Sequence, residues 1–203
     1  RPPRSTLFPY TTLFRSDTRI QALISLYVDG DDRLMRKAIK MYDYSRSYEG
    51  ITTSRYPSRV PQYIPPFSLY WINMVHDYWM YRDDPAFVRN CISGVKTILE
   101  WFADKVDKET GMLGAIPHWN FVDWPTQWPW SKDKPTGGVP PGGMTGGSSI
   151  LTLQLAYTLK DAVELLDHFG EKDLAAQYDS LRISLCENTW KHCWVEKKQL
   201  LCD

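Results

Sequence analysis

The chain has 203 residues, 43% of them apolar and 24% charged, with 24 Lys plus Arg set against 24 Asp plus Glu. That balance belongs to an ordinary globular chain, one domain or part of one. The zero net charge argues against nucleic acid or an anionic membrane surface as partner, and no apolar run approaches the roughly 20 residues of a membrane span.

Residues 1–16, RPPRSTLFPYTTLFRS, mix basic residues with short apolar pieces and lack the continuous apolar stretch of a signal peptide. Residues 6–16 match one translated frame of a widely used sequencing adapter. The segment is set aside as non-native and adapter-like, and the native domain is expected over residues 17–203.

From Asp17 the pattern is helical, with Ile20, Leu23, Ile24 and Tyr27 at three- and four-residue steps. Asp17 reads as its N-cap and Gly30 as its stop. Asp31 or Asp32 caps a second helix carrying Leu34, Ala38, Ile39 and Tyr42. Residues 47–66 are irregular, rich in Pro, with room for a short strand. Pro66 opens a third helix over 67–82 with a broad apolar surface. Pro85 opens a fourth, whose stripe of Phe87, Cys91, Val95, Ile98 and Phe102 reads as continuous. Residues 105–114 form a polar turn able to pair briefly as strands, and 135–149 are rich in Gly and Pro. Ser148 or Ser149 caps a fifth helix, with Leu151, Leu155, Leu159, Ala162 and Leu166 aligned and Gly170 at its end. The sixth carries Leu174, Tyr178, Leu181 and Leu185 to about Trp190, and the tail reads as one arm of a hairpin. Short and long connections alternate. The two long ones, 47–66 and 105–149, exceed the about 12–15 residues usual without a function. The pattern describes helical hairpins with the long loops gathered at one end.

Within the second long loop, residues 117–130 read PHWNFVDWPTQWPW and hold four of the chain's nine tryptophans. Pro117, Pro125 and Pro129 keep it from being a regular helix. Asn120 and Asp123 sit among the indoles. Two readings stand: a plug over the end of a helical core, or a binding surface for a ligand with apolar faces and polar edges, such as a sugar. A carboxylate among indoles is costly to desolvate unless it pairs or binds something, which favours the second for Asp123. Arg55 and Arg59 pair with carboxylates, anchor their loop or grip a ligand.

The remaining chemistry is sparse. Cys91 reads as core, and Cys186, Cys193 and Cys202 lack the CxxC spacing of a zinc site, so reduced thiols are expected. His76 and Asp77 point roughly 100° apart on a helix and form no dyad. His118 stands alone. No phosphate loop, HExxH or EF-hand is present, so no cofactor or metal is expected.

Three stretches carry a resemblance: DTRIQALISLYV (Asp17–Val28), SRYPSRVPQYIPPFSLYWI (Ser54–Ile72) and WNFVDW (Trp119–Trp124). Together they resemble the six-hairpin catalytic domain of bacterial α-L-rhamnosidases. The resemblance implies an all-α fold, a partial (α/α)6 toroid of helical hairpins with long aromatic loops at one end. It implies inverting hydrolysis of terminal L-rhamnose from glycosides or polysaccharides. By position, Asp17 helps hold rhamnose, Asp123 and Trp124 line the pocket with Trp119 and Asn120, Trp71 belongs to an aromatic wall, and Arg55 is a substrate-gripping candidate. In the family the general acid is a glutamate just upstream of the position of Asp17, and the base lies on a later helix, beyond Asp203. An inverting glycosidase needs both carboxyls, about 6.5–9.5 Å apart. The chain is therefore expected to bind a rhamnoside without turning it over. Its other expected partners are further parts of its own domain, and an exposed apolar edge with self-association is expected. Another six-hairpin glycosidase or lyase and a non-catalytic helical carbohydrate-binding module are the rival readings.

Overall fold

A computed structural model describes residues 15–133 and 137–203. The adapter-like segment thus falls, except for residues 15 and 16, outside the described residues. The order is α1 (Arg15–Asp29), α2 (Arg33–Tyr44), α3 (Pro65–Tyr81), α4 (Pro85–Arg89), α5 (Ile92–Ala103), a 3-10 turn (Pro141–Gly143), α6 (Ser149–His168), α7 (Lys172–Cys193), β1 (Trp194–Val195) and β2 (Leu200–Leu201). The α1/α2, α3/α5 and α6/α7 pairs are helical hairpins, and α1, α3 and α6 pack side by side as an inner layer. This is the expected partial (α/α)6 arrangement.

α3 is the centre of the fold. Twelve of its residues are buried, from Pro65 to Tyr78, because it packs against α1, α2, α4, α5 and α6. A helix apolar around most of its circumference has to be enclosed in this way. Its first turn is built from Pro65 and Pro66, one residue earlier than the sequence reading, since Pro tolerates a position whose N–H has no partner. Against α6 it presents a buried polar seam. Asn73 Nδ2 donates to Asp161 (2.8 Å), Thr158 Oγ1 donates to Asn73 Oδ1 (3.3 Å), and His76 Nε2 lies 2.9 Å from Glu164. Satisfied polar pairs of this kind hold two apolar helices in one register. His76 is therefore an interface residue.

Three details depart from the sequence reading. α1 begins before Asp17, so Asp17 lies in its first turn rather than at the cap, where an acid still complements the helix N-terminus. The core side of α1 is Thr18, Ala22 and Leu26, while Ile20, Ile24, Tyr27 and Val28 are 60%, 55%, 69% and 81% exposed. The small residues let α1 approach its neighbours closely, and Thr18 Oγ1 meets Tyr42 Oη at 3.3 Å. The stripe over 85–102 breaks into α4 and α5 at Asn90 and Cys91, where the Cys91 N–H bonds the Val88 carbonyl three residues back (2.8 Å). Among the described residues the 47–66 loop holds no strand, and 105–114 pairs only through isolated bridges, Val106 with Leu113 and Gly114 with Gly146.

α6 starts where Ser148 accepts the Leu151 N–H (3.3 Å) and itself donates to the Asp203 carboxylate (2.6 Å), which also takes Ser149 Oγ–H (2.6 Å) and the Ile150 N–H (3.2 Å). A carboxylate there satisfies free N–H groups and complements the helix dipole. All four cysteines are free, and burial pushes the Cys91 thiol up to about 12.

Candidate functional site

The two long loops meet over the start of α3. The Trp119 N–H donates to the Tyr63 carbonyl (3.4 Å), and the His118 ring packs on Tyr63 with centroids 5.2 Å apart. His118 Nε2 sits 3.3 Å from both Glu49 oxygens. His118 is thus partnered, and its left-handed backbone (φ 71°) turns the chain into Trp119. Asn120 is fully buried; its Nδ2 donates to the carbonyls of Ile116 (2.8 Å) and Gly143 (2.7 Å). Gly138 closes the far side, donating to the Trp128 carbonyl (2.9 Å) and accepting from the Val122 N–H (2.8 Å). Its φ of +75° and the Phe121 ring, 2.4 Å from where a Cβ would stand, both require glycine.

This backbone frame displays aromatic rings. Trp119–Phe121, Phe121–Trp124 and Trp119–Trp124 lie at centroid separations of 5.0, 4.9 and 5.9 Å, all tilted. Phe121 stands edge-on to the buried Phe67 of α3 (6.0 Å), and Trp119 Nε1 donates to the Gly137 carbonyl (2.9 Å). The cluster is anchored at its base and open at its top, where Trp124 is 59% exposed. Asp123 is exposed beside it, one oxygen held by the Trp124 N–H (2.8 Å) and the other open to solvent or ligand. A plug would bury its indoles; this arrangement keeps two of them, Trp124 and Trp130, and a carboxylate outside.

The inner helices add polar groups that no local motif announced. Arg19 of α1 forms a two-point ion pair with Asp77 of α3, Nε–Oδ2 2.7 Å and Nη2–Oδ1 3.1 Å. Burial alone would lower the Arg19 pKa; hydrogen bonds to Asp77 and to Tyr157 of α6, with the Asp77 charge, outweigh it and raise it. Burial also raises the Tyr70 pKa, the Arg19 charge opposing and the Asp123 charge reinforcing the shift. The Tyr70 hydroxyl is therefore within the field of both Arg19 and Asp123, which links α1, α3 and the tryptophan loop electrostatically. Such a group can hydrogen-bond several hydroxyls of a ligand while the rings contact its apolar face.

Of the residues singled out from sequence, Trp119, Asp123 and Trp124 come together. Asn120 joins them as a structural clamp, its donors already used inside the loop. Trp71 is corrected: it is completely buried, its Nε1 donates to the Ile39 carbonyl (2.9 Å) and the Arg46 guanidinium lies 5.0 Å from its ring, so it has no free face for a ligand. On the same helix it is Phe67 that reaches the loop, edge-on to Phe121, with the Tyr70 ring 5.9 Å from it. Arg55 is half-buried on the 47–64 loop, with a buried Nε that finds no hydrogen-bond partner among the described residues. Asp17 is exposed, two residues before Arg19. No group of three His, Cys, Asp or Glu among the described residues could hold a metal ion, and no described helix is long and apolar enough to cross a membrane. A cleft of about 350 Å³ on α2, lined by Arg33, Arg36, Lys37, Lys40, Met41 and Tyr44, shares no residue with the tryptophan loop.

Comparison with known proteins agrees with the fold. The profile of the bacterial alpha-L-rhamnosidase 6 hairpin glycosidase domain matches residues 11–201, and so begins inside the adapter-like segment. The GH78 family rhamnosidase of Bacillus sp. GL1 is similar with a TM-score of 0.77 at 22% identity, over 93% of this chain and 18% of that one. A rhamnosidase from Klebsiella oxytoca with rhamnose bound gives 0.76 at 17% identity, over 93% of this chain and 34% of that one. The alpha-L-rhamnosidase from Dictyoglumus thermophilum gives 0.63 at 15% identity, over 91% of this chain and 19% of that one. The chain thus spans about a fifth to a third of the length of these structures. No curated protein matches.

Proposed function

The chain belongs to the bacterial α-L-rhamnosidase six-hairpin glycosidase family, and from that membership we propose that it forms one wall of a rhamnoside-binding pocket in an inverting glycoside hydrolase. In this reading the Trp119–Phe121–Trp124 cluster takes the apolar face of the sugar ring. Asp123 accepts hydroxyl hydrogen bonds, and Tyr70 and Arg19 hold the polar edge from the side of the inner helices. Asp17, in the first turn of α1, contributes a further carboxylate at the same end, and Arg55 brings an unpartnered donor from the neighbouring loop.

The observation that carries the reading is the open Trp119–Phe121–Trp124 ring cluster with the exposed Asp123 carboxylate beside it. Binding, rather than turnover, is what these groups supply. Asp77 is held by Arg19 at two points, and Asp123 stands exposed beside an indole. Inverting hydrolysis requires two such carboxyls with space for water between them. In this reading the chain binds L-rhamnose and leaves an aryl rhamnoside intact.

The test is a titration of the chain with L-rhamnose followed by tryptophan fluorescence, with an expected Kd on the order of 1–10 mM. Trp124→Ala and Asp123→Asn each weaken binding. A wild-type signal indifferent to rhamnose refutes the assignment of the site, and release of the aryl group refutes the absence of turnover.

A further inference from the structure

A second aromatic surface lies outside the tryptophan loop, at the end of α7. Trp190 and Trp194 stack nearly parallel, centroids 4.2 Å apart and planes 17° from each other. Trp190 is nevertheless 55% exposed. One of its faces is covered by Trp194, and more than half of the residue still meets solvent. The platform has a built polar edge. Trp194 Nε1 donates to Glu196 Oε2 (2.7 Å), and Gln199 Nε2 donates to Glu196 Oε1 (2.8 Å) and to its carbonyl (2.9 Å). These bonds, the Trp194 one first, hold the Glu196 carboxyl below its usual range. The β1–β2 turn that carries these side chains is fixed by the Trp194–Leu201 and Val195–Leu200 pairs. Both indoles and the carboxylate are thus locked before any ligand arrives, which removes part of the ordering cost of binding.

We propose that Trp190, Trp194, Glu196 and Gln199 form a second carbohydrate platform, one that takes a neutral pyranose unit of a glycan chain. The exposed indole suits the C–H face of a sugar ring, and a fixed carboxylate with free lone pairs at its edge suits hydroxyl donors. A peptide or lipid partner would need a continuous apolar groove, and the rim here is polar on the side of Glu196 and Gln199. The platform shares no residue with the Trp119–Trp124 site, so it does not depend on the function proposed above. With a glycan seated at both, the chain contacts a polymer at two places.

The experiment is affinity electrophoresis of the 203-residue chain through native gels containing a soluble rhamnose-backbone polysaccharide or laminarin, beside the free L-rhamnose titration. We expect retardation by at least one polymer in the Trp124→Ala background, where the loop site is disabled. Adding Trp190→Ala should raise the apparent Kd at least about tenfold, and Glu196→Gln should raise it less. Because Trp190 is 55% exposed, its substitution should leave far-UV circular dichroism unchanged and lower the melting midpoint only by the loss of its stack on Trp194. Rhamnose affinity should be unaffected by Trp190→Ala. Retardation unchanged by Trp190→Ala overturns the proposal, as does absence of retardation by either polymer. A Trp190-dependent dimer in ultracentrifugation without polymer retardation also overturns it, by assigning the face to a second copy of the chain. Loss of rhamnose binding in the wild type, with polymer retardation still dependent on Trp190, refutes the loop site alone.

Discussion

Gly138→Ala isolates the tryptophan loop from the helical layers. Residue 138 sits at φ +75°, where an L side chain is strained, and a Cβ there would stand 2.4 Å from the Phe121 ring and 2.7 Å from the Asp123 carbonyl oxygen. The left-handed conformation costs roughly 1–2 kcal/mol for alanine, and forcing a methyl into a packed site costs about 1–3 kcal/mol more. The ring and the backbone oxygen lie on the same short stretch, so relief for one crowds the other. A penalty of about 2–5 kcal/mol therefore falls on the hydrogen bonds of Gly138 to Val122 and Trp128, which are the loop's own closure. The helices do not depend on those bonds. The expected outcome is a near-native helical melt at 222 nm, with altered near-ultraviolet dichroism from Trp119 and Trp124. L-rhamnose affinity should fall at least about tenfold, the equivalent of about 1.4 kcal/mol. A variant that keeps both the near-ultraviolet spectrum and the rhamnose Kd would refute the idea that this glycine holds the sugar-facing geometry.

Two further outcomes concern stability. Arg19→Met leaves Asp77, whose side chain is 13% exposed, without its ion-pair partner; the expected loss is about 2–4 kcal/mol in urea denaturation, largely recovered in Arg19→Met with Asp77→Leu. A loss under about 0.5 kcal/mol would mean the pair contributes little beyond a surface bridge. The Cys91 thiol is raised from 9.0 to about 12 mainly by burial. A group raised on folding stabilises fully below its unfolded value, and that contribution is lost as pH climbs from 9.0 towards about 12. Stability should fall above pH 9.0 by up to about 1.4 kcal/mol per pH unit from this thiol. The comparison belongs between 9.0 and 10.0, because Tyr78 and Tyr178, each raised from 10.0 to about 12 by burial first, add their own losses above that. Coincident stability curves for wild type and Cys91→Ala across this interval would show that the thiol is not sequestered.

Much of this architecture is legible along the chain. Gly30 and Gly170 end their helices at φ +67° and +92°, Ser148 caps α6, and prolines open α3 and α4, because such signals act over a few residues. The prolines of residues 117–130 dictated a non-helical loop, and its concentration of indoles marked it as a surface worth attention. The residues of the three motif stretches carried the resemblance to the family, and the alternation of short and long connections pointed to hairpins with their long loops at one end.

Contacts between distant segments were settled only by packing. Periodicity shows that α1 has an apolar stripe, but Ile20 and Ile24 lost the inward side to Thr18, Ala22 and Leu26, the first two of which are small enough for close approach to α2 and α3. Two tryptophans of equal chemistry took opposite roles. Trp71 lies on the helix enclosed by five others and became core, while Trp124 lies beyond the anchoring Phe121 and stayed exposed. Arg19, Tyr70 and Asp123 carry no shared motif and sit on three separate segments. The sequence determined the helices, their ends and the loop's composition through local bonding and steric rules. The tertiary structure alone decided which charges meet and which rings face outward, since both depend on what fills the space between elements far apart in the chain.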